Sequence, residues 1–329
     1  MIANSVLKIL VVSDGEDQRL GFLRLPFIRA LKFAFPLAKI DWLVAAESSG
    51  LSQELSPLVA GLIESIELAP QLTKGIARFI KPPWQGKHYN LCINFLSGGA
   101  NDWLAKMIPA DLRYTVPEPR PDQHPTELLL ALVSAITEQP SQANLQIPIS
   151  RDAALLAGHI LRFGYNYVAI APGLESGGLE SRGQNSQWPL DFYAEVALTQ
   201  FTNNRIPIFI LLGDSTERFN KLSTAVPTAL FPLQHPAAAG RGYDLVVAIL
   251  QQSWVGLAED SLAGHLMAAA NIPMLSLFND QRALTRAPWA ERGMVMLASD
   301  FAEEGGGRHP LSLIPPVNVL NSLEALIQI

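Results

Sequence analysis

Trp254–Phe278 reads WVGLAEDSLAGHLMAAANIPMLSLF. Trp254–Leu257 is an apolar run of strand length, and Pro273–Phe278 is a second. Between them Asp260 or Ser261 is a natural N-cap, and Ser261–Asn271 has helix length. Strand, helix and strand in direct succession predict a parallel β-α-β unit. Near-continuous apolar strands predict a sheet covered on both faces. The backbone amides behind Asp260 would offer partial positive charge to an anion.

The same alternation extends in both directions. Upstream lie Tyr167–Ala171 (YVAIA), a long loop, a helix from about Pro189 to Phe201, and the strand Pro207–Leu212 (PIFILL). Downstream lie the strand Met294–Leu297 and an amphipathic helix at Val319–Gln328. The first half repeats the theme, with strands predicted at Val6–Val12, Ile40–Val44, Ile63–Leu68, Tyr89–Phe95 and Leu112–Val116. Helices are predicted at Gly21–Phe35, with Pro26 near its start where a missing N–H matters little, and at Thr126–Thr137. Cys92 falls mid-strand and reads as a small buried hydrophobe. The segments Tyr114–Pro125 and Pro140–Ser150 are rich in proline and mark a linker that ends at a plausible N-cap, Ser150. This pattern predicts an α/β protein of two doubly wound, Rossmann-like parallel-sheet domains facing across a cleft, residues 1–150 and 151–329.

Composition narrows the classes. The chain has 329 residues, 24 basic and 30 acidic, and one cysteine. That excludes a disulfide scaffold, and 49% hydrophobic residues exclude disorder. At a pI near 5.5, nucleic-acid binding driven by bulk charge is not expected. Charged residues are only 16% of the chain, against about 25% in a typical soluble protein. No apolar stretch has the length of a membrane span, and the start of the sequence lacks the pattern of a signal peptide, so a cytoplasmic location is expected. Buried parallel strands account for most of the low charge. The remaining charge is sorted: Arg19, Arg24, Arg29, Lys32 and Lys39 fall between Gln18 and Ile40 with no acidic residue among them, whereas residues 161–329 are net acidic.

In doubly wound sheets ligands bind beyond the carboxyl ends of the strands. Four strand-to-helix loops therefore matter. Ser13–Leu20 (SDGEDQRL) carries Asp14, Glu16 and Asp17; one is a candidate general base, and a solvated acidic loop is the plainer alternative. Pro172–Trp188 contains four glycines; its amides would suit an anion, and an unliganded surface loop fits equally. Gly213–Glu217 offers Glu217 to a ribose or base, or ordinary helix capping by Asp214 or Ser215. Asp260–His265 offers a phosphate cradle to which His265 would add a donor, or a helix with a packed histidine.

Taken in order, several segments resemble the ADP-heptose:lipopolysaccharide heptosyltransferases of glycosyltransferase family 9. They are LPFIRALKFAFPLAKIDWLV (Leu25–Val44), APG (Ala171–Gly173), QWPLDFYAEVA (Gln187–Ala197), ILLGDSTER (Ile210–Arg218) and EDSLAGHLMAAANIPMLSLF (Glu259–Phe278). The resemblance spans nearly the whole chain. It implies a GT-B fold and inverting transfer of a sugar from a nucleotide-diphosphate donor, ADP-heptose-like, to a lipopolysaccharide-core or related glycan. It implies no cofactor and no metal, with helix amides and basic side chains neutralising the diphosphate. By position, the donor would meet Gly173, Arg182, Ser186, Glu217, Asp260, Ser261 and His265. Arg24 and Arg29 would lie on the acceptor side, facing an anionic glycolipid, with a peripheral inner-membrane contact; a solvated basic face is the alternative. The last helix, about 319–328, would pack back on the N-terminal domain.

The departures fall on functional positions. The Gly-Asp pair whose Asp is the family's proposed base corresponds to Arg19 and Leu20, which moves the expected base to Asp17 through a shifted loop. A family lysine corresponds to Ser186, with Arg182 the nearest basic substitute. Two family glycines correspond to Leu262 and Asn279. The alternative to an active enzyme is thus a catalytically degenerate relative acting as a binding or assembly protein. The matched segments favour family 9 over a GT-B-fold sugar-nucleotide epimerase.

Overall fold

The structure is a computed structural model that describes residues 7–73, 82–96, 106–120, 123–141, 144–173, 187–213, 216–279, 283–303 and 309–328. The chain forms two compact units, Met1–Asn144 and Leu145–Ile329. Each is built on a five-stranded sheet.

In the first unit the strands are β1 (Lys8–Ser13), β2 (Lys39–Val44), β3 (Ser65–Leu68), β4 (Tyr89–Asn94) and β5 (Ala110–Thr115). All pair in parallel in the order β3-β2-β1-β4-β5. The central strand explains its own sequence. Ile9, Leu10, Val11 and Val12 are buried on alternating faces, so an unbroken apolar run is required there. Cys92 is buried in β4, and desolvation pushes its thiol up to about 12.

The helix after β1 spans Gln18–Ala34 and buries every residue from Gly21 to Ile28. It starts earlier than the apolar period indicates, because Asp17 caps it: the Leu20 N–H donates to Asp17 Oδ1 at 2.8 Å. Pro26 therefore sits inside the helix and not near its start. An interior proline costs about 3 kcal/mol, a penalty outweighed here by the burial of Phe22, Leu25, Phe27 and Ile28.

In the second unit the strands are β6 (Tyr167–Ala171), β7 (Ile206–Phe209), β8 (Ser253–Glu259), β9 (Met274–Phe278) and β10 (Gly293–Leu297). They are parallel in the order β10-β9-β8-β6-β7. One helix, Tyr243–Leu250, lies in an apolar run with no clear period. It packs between the helices Arg151–Ile160 and Leu262–Ala269, and Leu245 to Leu250 are all buried. The final helix spans Pro316–Ile327. It inserts Val319, Leu323 and Leu326 into the second unit's core, beside Val168, Trp188, Leu257 and Leu275. Glu324 fixes it further by accepting from Arg205 Nη2 at 2.9 Å, just before β7. Among the described residues no helix is long and apolar enough to cross a membrane.

Candidate active site

Each sheet has one point where neighbouring strands lead away in opposite directions, and ligands of doubly wound folds bind outside such points. In the second unit it lies between β6 and β8, which pair from Tyr167↔Ser253 to Ala171↔Ala258. The chain leaves β6 through Pro172 and Gly173, and leaves β8 through Glu259, Asp260 and Ser261.

Glu259 joins these two exits. It is buried, and its Oε1 accepts from the Trp188 N–H at 3.1 Å and from the Tyr193 hydroxyl at 2.6 Å. The Gly173 backbone bonds the same carboxyl group, and Arg218 acts on it electrostatically. Burial pushes the Glu259 carboxyl above the usual range, against the pull of these donors. A Cβ on Gly173 would meet the carboxylate, so glycine is required there by close approach. The Arg218 side chain is buried and its Nη1 donates to the Gly173 carbonyl. Sequence reasoning did not reach Glu259, Arg218 or Tyr193. A carboxylate ending a run of buried strand residues was the available signal for Glu259.

The next residues form an anion-compatible turn. Ser261 occupies the N-cap of the helix Leu262–Ala269 in extended geometry (φ −149°, ψ 161°), yet its side chain makes no capping bond. Its Oγ is buried and has no hydrogen-bond partner among the described residues. A buried hydroxyl left over beside free helix amides is the arrangement an incoming acceptor oxygen would complete. Asp260 Oδ2 lies 3.5 Å from Arg286 Nε. His265 is buried within a helix whose residues are all buried. Glu217 is exposed and bound to Lys221 at 2.8 Å, which holds its carboxyl below the usual range. Arg182 and Ser186 lie outside the described residues, as do Asp214 and Ser215.

In the first unit the corresponding point lies between β1 and β4. Here stands Arg24, expected on the acceptor side. Its side chain is buried, with Nη1 donating to Glu16 Oε2 at 2.7 Å and to Ser13 Oγ at 2.6 Å, and Nη2 to Asp14 Oδ1 at 2.9 Å. The guanidinium also lies 4.6 Å from the centre of the Phe95 ring. Glu16, itself buried, accepts in addition from the Ser13 and Ser49 hydroxyls. The reason is electrostatic: a carboxylate enclosed at the end of β1 requires a cation, and Arg24 is the one its helix presents. Gly15 makes the loop possible, with φ +105° and no room for a Cβ against Ala46. Arg29 is half-buried, donates to the Asn144 carbonyl at 2.9 Å, and has its pKa lowered by burial. Of the loop's three carboxylates, Asp14 and Asp17 keep exposed side chains, at 57% and 58%. Asp17 also pairs with Arg19 at 3.3 Å. Among the described residues no group of three His, Cys, Asp or Glu side chains is placed to hold a metal ion.

The two sheets, each parallel and helix-flanked, define a GT-B fold. Solved structures of that class align over the full chain. The glycosyl transferase family 9 structure from Veillonella parvula gives a TM-score of 0.71 at 15% identity, covering 99% of this chain and 98% of that one. E. coli ADP-heptose lipopolysaccharide heptosyltransferase II gives 0.64 at 17% identity, covering 98% and 99%. E. coli heptosyltransferase WaaC, solved with ADP, gives 0.63 at 14% identity, covering 97% and 100%. No protein-family model and no curated protein sequence matches the chain. The fold is thus that of the heptosyltransferases, at an identity where only the fold carries over.

Proposed function

We propose that the chain is an inverting glycosyltransferase that takes a sugar from a nucleoside-diphosphate donor, ADP-heptose-like, and transfers it to a lipopolysaccharide-core or related glycan in the cytoplasm. The observation that carries this reading is Ser261: a buried, unpartnered hydroxyl at a helix N-terminus, beside the point where β6 and β8 diverge. The donor diphosphate accepts from Ser261 and from the first amides of its helix. Gly173 admits the phosphates closely, and Asp260 and His265 shape the turn that carries these amides. Glu217 faces the nucleoside, and Arg182 and Ser186 belong to the loop bordering the diphosphate. No metal is required, because the amides and the helix dipole meet the charge that develops on the leaving group.

The reaction is a single displacement. A carboxylate takes the proton of the acceptor hydroxyl. That oxygen forms a bond to the anomeric carbon as the bond from that carbon to the diphosphate oxygen breaks, and the nucleoside diphosphate departs with the electron pair. The base is Asp17, with Asp14 the second carboxylate of the same loop whose side chain is open to an acceptor.

Melting curves with ADP, UDP and GDP test the donor assignment. A ligand at 100 times its Kd adds about 2.7 kcal/mol, which raises the Tm of a unit this size by about 5–10 °C. ADP is expected to give the largest shift. If all three nucleotides at saturation leave the transition unmoved, the donor assignment is wrong.

A further inference from the structure

The displacement makes no use of Glu259, yet this buried carboxylate bonds the chain on both sides of residues 174–186. Gly173 directly precedes that segment, and Trp188 stands two positions after it. Oε1 accepts from the Trp188 N–H at 3.1 Å. The Gly173 backbone bonds the same carboxyl group, and Oε2 is the oxygen that a Cβ on Gly173 would strike. Along its own backbone Glu259 stands two residues before Ser261. One side chain thus ties together the two strand exits, Gly173 after β6 and Ser261 after β8. Both neighbours are also held without it. The Gly173 carbonyl accepts from Arg218 Nη1, and Trp188 Nε1 donates to the Ile314 carbonyl at 2.9 Å. What the carboxylate adds is therefore their spacing from the end of β8.

Direct contact with a diphosphate does not suit this group. A carboxylate repels a phosphate, and Glu259 is enclosed with its oxygens turned to the Trp188 N–H, the Tyr193 hydroxyl and the Gly173 backbone. Its influence on a bound nucleotide runs through the backbone it holds, where a small misplacement of the contacting groups is costly. We infer that Glu259 is a positioning residue for the sugar nucleotide: by bonding Gly173 and Trp188 it keeps the β6 exit at the spacing from Ser261 that a diphosphate requires. This role rests on the donor reading given under the proposed function.

The test is calorimetry of ADP binding to the full chain and its variants. Glu259→Gln keeps the size of the side chain but sets an amide N–H where a backbone N–H or the Tyr193 hydroxyl needs an acceptor. Glu259→Asp keeps the charge and is one methylene too short to reach both Gly173 and Trp188. Each should bind ADP about tenfold more weakly than the parent. In the Glu259→Gln/Ser261→Ala pair the combined loss should fall short of the product of the two single losses, because both changes act on one cradle. Glu324→Gln weakens the tie between Arg205 and the final helix of the same unit, and should bind ADP like the parent. A group acting by its charge alone would give tighter binding in Glu259→Gln, and that result overturns the inference. So do parental affinity in both Glu259 variants, a combined loss equal to the product, or an equal loss in Glu324→Gln. In each of those cases the parent binds ADP and the donor reading stands. Absence of ADP binding to the parent overturns the donor reading and this role with it.

Discussion

Glu259 offers the sharpest test of how the second unit holds its loops. Glu259→Ala removes the acceptor for the Trp188 N–H, the Tyr193 hydroxyl and the Gly173 backbone. A buried donor left unsatisfied costs about 1–3 kcal/mol, and a water entering the vacated space can serve one of the three. Two remain, so the expected loss is about 2–6 kcal/mol. The assay is urea unfolding followed by tryptophan fluorescence, since Trp188 packs 4.7 Å from Tyr193. Acidity adds a second, independent reading. Desolvation raises the Glu259 carboxyl above its ordinary 4.5. A folded pKa above the unfolded one means that stability is fully present below 4.5 and lost as pH rises through the folded value. Glu259→Gln has no such titration. Its stability relative to the parent should therefore improve steadily from about pH 5 upward. Glu259→Ala within about 1 kcal/mol of the parent near pH 5, or parent and Glu259→Gln curves that stay parallel across pH, would refute the reasoning.

The site residues carry three further expectations. Arg24→Met leaves the buried Glu16 without its cation, and should lower stability by about 3–5 kcal/mol in urea unfolding, with partial recovery in the Glu16→Gln/Arg24→Met pair. Asp17→Ala should lose about 1 kcal/mol of capping energy, whereas Asp17→Asn should keep the cap and melt like the parent. Transfer assays on Asp17→Asn should show a loss of about 10²-fold or more; full activity there, with loss in Asp14→Asn, would move the base to Asp14. Ser261→Ala should leave the nucleotide-free stability unchanged, because its hydroxyl bonds nothing among the described residues. The same change should weaken ADP binding in calorimetry by about tenfold or more, the worth of one charge-assisted hydrogen bond.

Much of the architecture was legible because buried parallel strands write themselves as local apolar runs. Tyr167–Ala171 is a strand with those same bounds, and β8, β9 and the helix between them match the pattern of Trp254–Phe278 within a few residues. The ends of the first helix were less legible. Asp17 sets the start of that helix by a hydrogen bond its apolar period cannot report. Tyr243–Leu250 was hidden because a helix buried on several sides has no polar face to mark its turns. At the site, Asp260, Ser261 and His265 could be named because a capping residue and its helix lie side by side in sequence. Arg218 and Tyr193 could not, since their roles depend on Gly173 and Glu259, which are distant along the chain.

By itself the sequence determined the α/β class, the strands of both sheets and the turn that carries Ser261, for these depend on patterns within about twenty residues of one another. Tertiary structure alone decided what the charges do. It buried Arg24 against Glu16, gathered three donors on Glu259 and drew the last helix into the second unit's core. The physical reason is that a charge in a protein takes its role from what encloses it. Desolvation and partners are set by residues brought together from different strands and helices, and no local period encodes them.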